Sequence, residues 1–71
     1  MDVIDVTNHR ARINVLRTAL RAKYGTRQYR IIGHHGFELV HVRGHMPNSH
    51  TFGWWLLGNL IEAELRLGII H

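Results

Sequence analysis

The stretch RQYRIIGHHGFELVHVR, residues 27–43, determines the fold of this chain. Both of its ends are rich in β-branched and aromatic residues, and the segment Gly33-His34-His35-Gly36 separates them. Two such runs around a glycine-containing turn are typical of a β-hairpin, with strands over residues 27–32 and 37–43. The centre of the chain is therefore predicted to be antiparallel sheet.

The length of the turn leaves two registers open for this hairpin. A connection of two or four residues places Tyr29 and Ile31 on the same face as Val40 and Val42. A connection of three residues groups them with the odd-numbered residues of the second strand instead. The sequence does not choose between these two arrangements.

A helix over residues 8–24 is predicted before the hairpin. Thr7 or Asn8 is its expected N-cap, and Gly25 is its expected stop. Apolar residues recur at the helical period and define one buried stripe, which consists of Ile13, Leu16, Leu20 and Tyr24.

A second helix is predicted after the hairpin, beginning near Ser49 or Thr51 and ending near Leu67, before Gly68. The turn-rich residues 44–50 form a loop, or hold a short third strand around Met46. The fold class is therefore α+β, in one small domain over residues 1–71. The expected order is α-β-β-α, or α-β-β-β-α if the Met46 region pairs, with the hairpin packed against two helices. Val3, Ile4 and Val6 are expected to form an edge strand or to pack against the domain.

Positive charge is concentrated in the first two thirds of the chain. Residues 10–43 contain eight arginine and lysine residues and one acid, Glu38. Several of these cations fall on one flank of the first helix, beside its buried stripe, as a phosphate-binding surface requires. The residues predicted to bind an anionic partner, above all nucleic acid, are Arg10, Asn14, Arg17, Arg21, Arg30 and Arg43.

Two other interpretations of these cations remain open. A solvated helix face with excess positive charge has the same pattern, since charged flanks are common on surface helices. An acidic protein surface would satisfy the same charges, so a protein-binding inhibitor or adaptor of the kind encoded by phages and plasmids is the alternative function.

The size of the chain predicts self-association. At 71 residues with no cysteine, the domain has a thin core and cannot form disulfides or a thiolate zinc site. A homodimer is the expected source of additional burial. No apolar run approaches the roughly 20 residues of a membrane span, and the acidic start lacks the basic region of a signal peptide, so a soluble cytoplasmic protein without a membrane contact is expected.

The apolar residues of the second predicted helix exceed what a hairpin can cover. On a helical wheel, Trp54 joins one apolar arc as a core residue, whereas Trp55 projects outward as an interface anchor. The residues predicted to form an interface are Trp54, Trp55, Leu57, Ile61 and Leu65.

Five histidines lie within residues 34–50, but none of them forms a His-x-His pair on a strand face. The His41–His45 spacing is that of a metal site on a helix, whereas a strand ending in a loop is expected there. No metal, no other cofactor and no catalytic residue is predicted, since no Ser-His-Asp or Cys-His grouping is available. The histidines are interpreted as polar turn residues that add positive charge as the pH falls.

Scattered motifs of the second half give one resemblance. They are Gly33-His34-His35, the segment from Pro47 to His50, and Gly58-Asn59-Leu60 with Gly68-Ile69 at the end. In an α-β-β-β-α chain this set resembles HicA-type toxins, small RNA-cleaving proteins with a fold like that of double-stranded-RNA-binding domains. His34 stands where that family usually has serine. The resemblance implies a third function, RNA cleavage, with His35 as the catalytic candidate.

Overall fold

The computed structural model of the chain describes residues 6–34 and 36–70. Its elements follow the order α-β-β-β-α, which confirms the α+β class. They are α1 (Val6–Lys23), β1 (Tyr29–Ile32), β2 (Leu39–His45), β3 (Phe52–Asn59) and α2 (Leu60–Arg66). The predicted N-terminal packing of Val3 and Ile4, and the catalytic candidate His35, lie outside the described residues.

The first helix begins earlier than predicted and ends close to the predicted position. Val6 is its first residue and not part of an edge strand, and Thr7 and Asn8 lie inside it, so neither is the N-cap. Threonine and asparagine are tolerated in a first turn, and helix ends are poorly fixed by local sequence. Gly25 is the stop, with a φ of +110° and its N–H donating to the Arg21 carbonyl. In the described helices, no segment is long and apolar enough to cross a membrane.

The three strands form one antiparallel sheet in the order β1-β2-β3. Tyr29 pairs with Val42 and Ile31 with Val40, so the first of the two open registers is the one adopted. The first strand starts at Tyr29 and not at Arg27, because Arg27 has a φ of +66° and belongs to the preceding turn. The second strand continues to His45, since His45 pairs with Phe52 on β3.

The predicted second helix is wrong in its first half, because Phe52–Asn59 is the third strand. Ser49 and Thr51, the predicted caps, instead lie in the β2–β3 loop, where the Thr51 N–H donates to Ser49 Oγ at 3.0 Å. The Met46 N–H closes this loop on the Thr51 carbonyl at 3.0 Å. The third strand therefore comes from the aromatic segment after the loop and not from Met46 itself.

The true second helix begins where the chain supplies a capping box. The Asn59 side chain accepts from the Glu62 N–H at 2.9 Å, and the Glu62 carboxylate accepts from the Asn59 N–H at 2.9 Å. Gly58 precedes the box with a φ of +144°, and a Cβ there would lie 2.6 Å from Glu62 Cβ. The change from strand to helix thus depends on Gly58 and Asn59 together.

Both helices pack on one face of the sheet, which we call the inner face. Its fully buried members come from the helices and from β2 and β3; they are Leu16, Leu20, Val40, Val42, Leu57, Leu60 and Ala63. A bulge between Val40 and His41 adjusts the pairing with β3 so that Leu57 and Gly58 are both buried beside α2. Neither of the two described helices covers the opposite face of the sheet, which we call the outer face.

Candidate nucleic-acid interface

The predicted cationic surface of the first helix is present and exposed. Arg10, Asn14, Arg17 and Arg21 all lie on the solvent side of α1, on a flank that we call the basic flank. At a rise of about 1.5 Å per residue, the basic flank extends about 16 Å along the helix axis. Its three guanidinium groups are thus spread along one line, which suits a series of phosphates better than a single small anion.

The three carboxylates of the described residues each accept a hydrogen bond or form an ion pair within the fold. Glu38 Oε2 lies 2.8 Å from His9 Nε2, and the buried Glu64 accepts from Arg12 Nε at 2.8 Å. Glu62 is held in the capping box with Asn59. Of the three, Glu64 alone forms an ion pair with a described arginine or lysine.

The consequence is a large unpaired charge. Of the nine lysine and arginine residues, Arg12 alone forms an ion pair within the part of the chain that the structure describes. Hydrogen bonding to Glu64 raises the Arg12 pKa against the opposing effect of burial, so Arg12 is a cation whose charge is paired with that of Glu64. The other eight cations, including all three of the basic flank, face solvent or aromatic rings and form no ion pair with a described acid.

Glu38 is the one acidic residue within the basic segment 10–43. Burial raises its pKa, but this effect is outweighed by the backbone N–H groups of Glu38 and Gly36 and by the hydrogen bond and charge of His9, and the net shift is downward. Glu38 therefore remains a carboxylate that holds the start of α1 to the segment before β2.

The two strand arginines of the predicted site lie on the outer face, away from the basic flank. The Arg30 guanidinium carbon is 4.3 Å from the centroid of the Trp54 ring, and that of Arg43 is 4.8 Å from the centroid of Phe52. Arg43 also donates to Gln28 Oε1 at 3.1 Å. The six predicted cationic-site residues thus divide between two faces of the domain.

The two tryptophans have the opposite orientation to the predicted one. Trp54 lies on the outer face and is 40% exposed, whereas Trp55 packs against the core. The helical projection was wrong because these residues belong to a strand, in which alternate side chains point to opposite faces. Strand alternation in Phe52-x-Trp54-x-Leu56 is the sequence signal that identifies the exposed aromatic side.

The remaining predicted interface residues also separate. Leu57 is buried in the core and is unavailable for a contact between chains. Ile61 and Leu65, 55% and 50% exposed, lie one turn apart on the outward side of α2. Of the five residues predicted to form an interface, only Ile61, Leu65 and Trp54 expose large apolar side chains to solvent.

The outer face contains residues that sequence reasoning did not assign to a site. Besides Arg30, Arg43 and Trp54 it carries Ile32, Leu39, His41, His45, Phe52 and Leu56. The His45 ring meets Phe52 edge-on with centroids 5.2 Å apart. This combination of aromatic, apolar and basic side chains on an uncovered sheet is the second candidate surface.

The described histidines do not form a metal-binding group. His41 is partly buried on the outer face, where its Nδ1 has no hydrogen-bond partner, and His50 is exposed in the β2–β3 loop. Across residues 6–34 and 36–70, no three histidine, cysteine or acidic side chains come close enough to hold a metal ion.

A cleft of about 340 Å³ lies between the ends of the two helices and the β2–β3 loop. Lys23, Tyr24, Trp55 and Arg66 are among its lining residues. Burial raises the pKa of the Tyr24 hydroxyl, and the charge of Arg66 acts in the opposite direction. Lys23 and Arg66 are two of the eight cations without a described ion pair, and the cleft has no described acid or metal ligand set with which to perform chemistry.

Comparison of the chain with protein families, with curated proteins and with solved structures found no match.

Proposed function

We propose that this domain binds nucleic acid and acts as a small regulatory module. The observation that carries the proposal is that eight of the nine lysine and arginine residues form no ion pair with a described acid. A surface with this excess of one sign attracts a polyanion and repels other basic surfaces. Nucleic acid is the polyanion whose regularly spaced charges match a line of arginines.

The basic flank is proposed to contact the phosphate backbone. Arg10, Arg17 and Arg21 are long exposed side chains on a rigid helix, and guanidinium groups bind phosphate oxygens through two parallel hydrogen bonds. Asn14, between Arg10 and Arg17, adds an uncharged donor and acceptor. Contacts of this kind position a protein on its ligand without reading the sequence, so we expect similar affinities for ligands of different sequence.

The acting unit is proposed to be a homodimer joined through α2. Ile61 and Leu65 present apolar surface on the side of α2 opposite its buried residues, Leu60 and Ala63. A twofold contact there would bury this surface and would leave the basic flanks of both copies in solvent.

The experiment that tests the proposal is titration of fluorescein-labelled RNA and DNA by anisotropy at about 50 mM salt. The double variant Arg17→Gln, Arg21→Gln removes two charges from the basic flank while keeping good helix formers. Arg17→Lys, Arg21→Lys keeps the charges and is its matched control. We expect the glutamine variant to bind every ligand more weakly and the lysine variant to retain most of the affinity.

Absence of binding to both nucleic acids by the unmodified protein would overturn the proposal. Equal affinities of the protein and its glutamine variant would show that the basic flank is not the contact surface. In the first case an acidic protein would be the remaining anionic partner, as in the inhibitor or adaptor alternative.

A further inference from the structure

The composition of the outer face suits an anionic ligand that contains aromatic rings. Its strand residues include two arginines, two histidines and the aromatic residues Phe52 and Trp54, and none of them is acidic. Phe52 is 52% exposed and Trp54 is 40% exposed. Small soluble domains rarely expose a contiguous apolar patch of this kind unless it is a binding site.

The arginines on this face are held in place by the rings beneath them. Arg30 reaches from β1 across β2 to lie over Trp54, and Arg43 lies over Phe52 while also bonded to Gln28. A guanidinium group stacked on a ring keeps its N–H groups directed outward and offers its own plane to a further ring. Such a group can meet a phosphate or a base without first being ordered.

The spacing of the rings favours bases that have left the helical stack. Phe52 and Trp54 are two residues apart on one strand, which corresponds to about 7 Å. Neighbouring bases in a duplex strand are only about 3.4 Å apart, and their faces are covered by one another. Two successive bases can therefore use both rings only when they are unstacked, as in a single strand.

A second copy of this chain is a poorer occupant of the same face. A twofold contact would bring Arg30 and Arg43 of one copy against the same cationic face of the other, with no acidic strand residue to compensate. The charge of the face is complementary to phosphate instead.

We propose that the outer face binds single-stranded nucleic acid, whose bases stack on the surface formed by Trp54, Phe52 and the guanidinium planes above them and whose phosphates contact the outward N–H groups of Arg30 and Arg43. This inference rests on the proposed function and adds a ligand class to it. The basic flank and the outer face then make different contributions, since the flank supplies charge to any nucleic acid and the outer face selects unpaired bases.

The test compares a labelled oligouridine with a labelled RNA duplex in anisotropy titrations. Trp54→Leu keeps the apolar bulk of an exposed position but removes the stacking surface, and Trp54→Phe is the control that keeps a ring. We expect the leucine variant to bind the oligouridine about tenfold more weakly and the duplex as before, with an unchanged salt dependence. The phenylalanine variant should lie between the leucine variant and the unmodified protein.

Circular dichroism checks that Trp54→Leu folds, and Phe52→Leu provides a second variant on the same face if it does not. Unchanged affinity for the oligouridine in folded variants would overturn the inference and leave the proposed function intact. A folded leucine variant that turns a dimer into a monomer in light scattering would show that a second copy occupies the face, which also overturns it. Failure of the unmodified protein to bind either RNA would remove the proposed function together with the inference.

Discussion

The guanidinium of Arg12 on α1 donates two hydrogen bonds to the buried carboxylate of Glu64 on α2. The pair links the two helices directly, although its members are 52 positions apart in the chain. It also occupies the Glu64 carboxylate, so no described acid forms an ion pair with Arg10, Arg17 or Arg21 on α1. The pairing of Glu64 with Arg12 therefore affects both the stability of the fold and the charge that α1 presents to a partner.

The first prediction concerns this pair. Arg12→Met should lower the free energy of unfolding by about 1–3 kcal/mol, because Glu64 is left buried without a cation. The double variant Arg12→Met, Glu64→Met should recover most of the loss, since the buried carboxylate that lost its partner is then replaced by an apolar side chain. Urea denaturation of the two variants and the unmodified protein measures the difference, and equal losses in both variants would argue against a buried pair.

The second prediction concerns the start of α2. Gly58→Ala should destabilise the protein by about 1–3 kcal/mol, because its φ of +144° disfavours alanine and the new methyl group would collide with Glu62. Gly53→Ala on the same strand is the matched control. Gly53 has ordinary strand geometry and nothing within 4 Å of an added Cβ, so this change should be close to neutral. Thermal unfolding of both variants tests the contrast, and similar midpoints would contradict it.

Helix α1 and the hairpin were predictable from sequence, whereas β3 was not. In α1 only the helical period places Ile13 on the same face as Leu16, and Gly25 gives a clear end. The segment after the loop is ambiguous, because Trp54 and Leu57 fit a helical stripe as well as a strand. Pairing with β2 decides between them, and that pairing is distant in sequence.

Of the two candidate surfaces, one was predictable from the sequence and the other was not. The basic flank was predictable because it depends only on helical geometry within α1. The outer face was not, since it exists only when β3 aligns Trp54 with Arg43 and brings it within reach of Arg30. The capping box of Asn59 and Glu62 was the local signal that a helix starts at residue 60 and not at residue 51.

The third prediction concerns acid stability. The pKa of Glu38 is lowered from its ordinary value of 4.5 in the folded protein, so the unfolded chain takes up the proton more readily. The stabilisation from Glu38 is complete above that value and is lost as the pH falls through the folded pKa. Urea denaturation between about pH 5 and pH 3 should therefore show a shallower loss of stability for Glu38→Gln than for the unmodified protein. Parallel pH profiles for the two proteins would contradict this assignment.

The fourth prediction concerns self-association. Sedimentation equilibrium at micromolar concentration should report a dimer, because α2 exposes Ile61 and Leu65 side by side. Ile61→Asp, Leu65→Asp should give a folded monomer, since neither side chain belongs to the core of one subunit. Asp substitution of Val15, which is equally exposed on α1, is the control and should leave the dimer intact. A monomeric unmodified protein at high micromolar concentration would exclude the dimer.

The salt dependence of nucleic-acid affinity tests the central claim most directly. The affinity of the unmodified protein for RNA should fall steeply as salt rises, because each arginine bound to a phosphate releases a condensed counterion. The slope of log K against log salt should become flatter by about two units in the Arg17→Gln, Arg21→Gln variant, about one unit for each arginine replaced. Absence of binding at low salt, or identical slopes for the protein and this variant, would contradict the account.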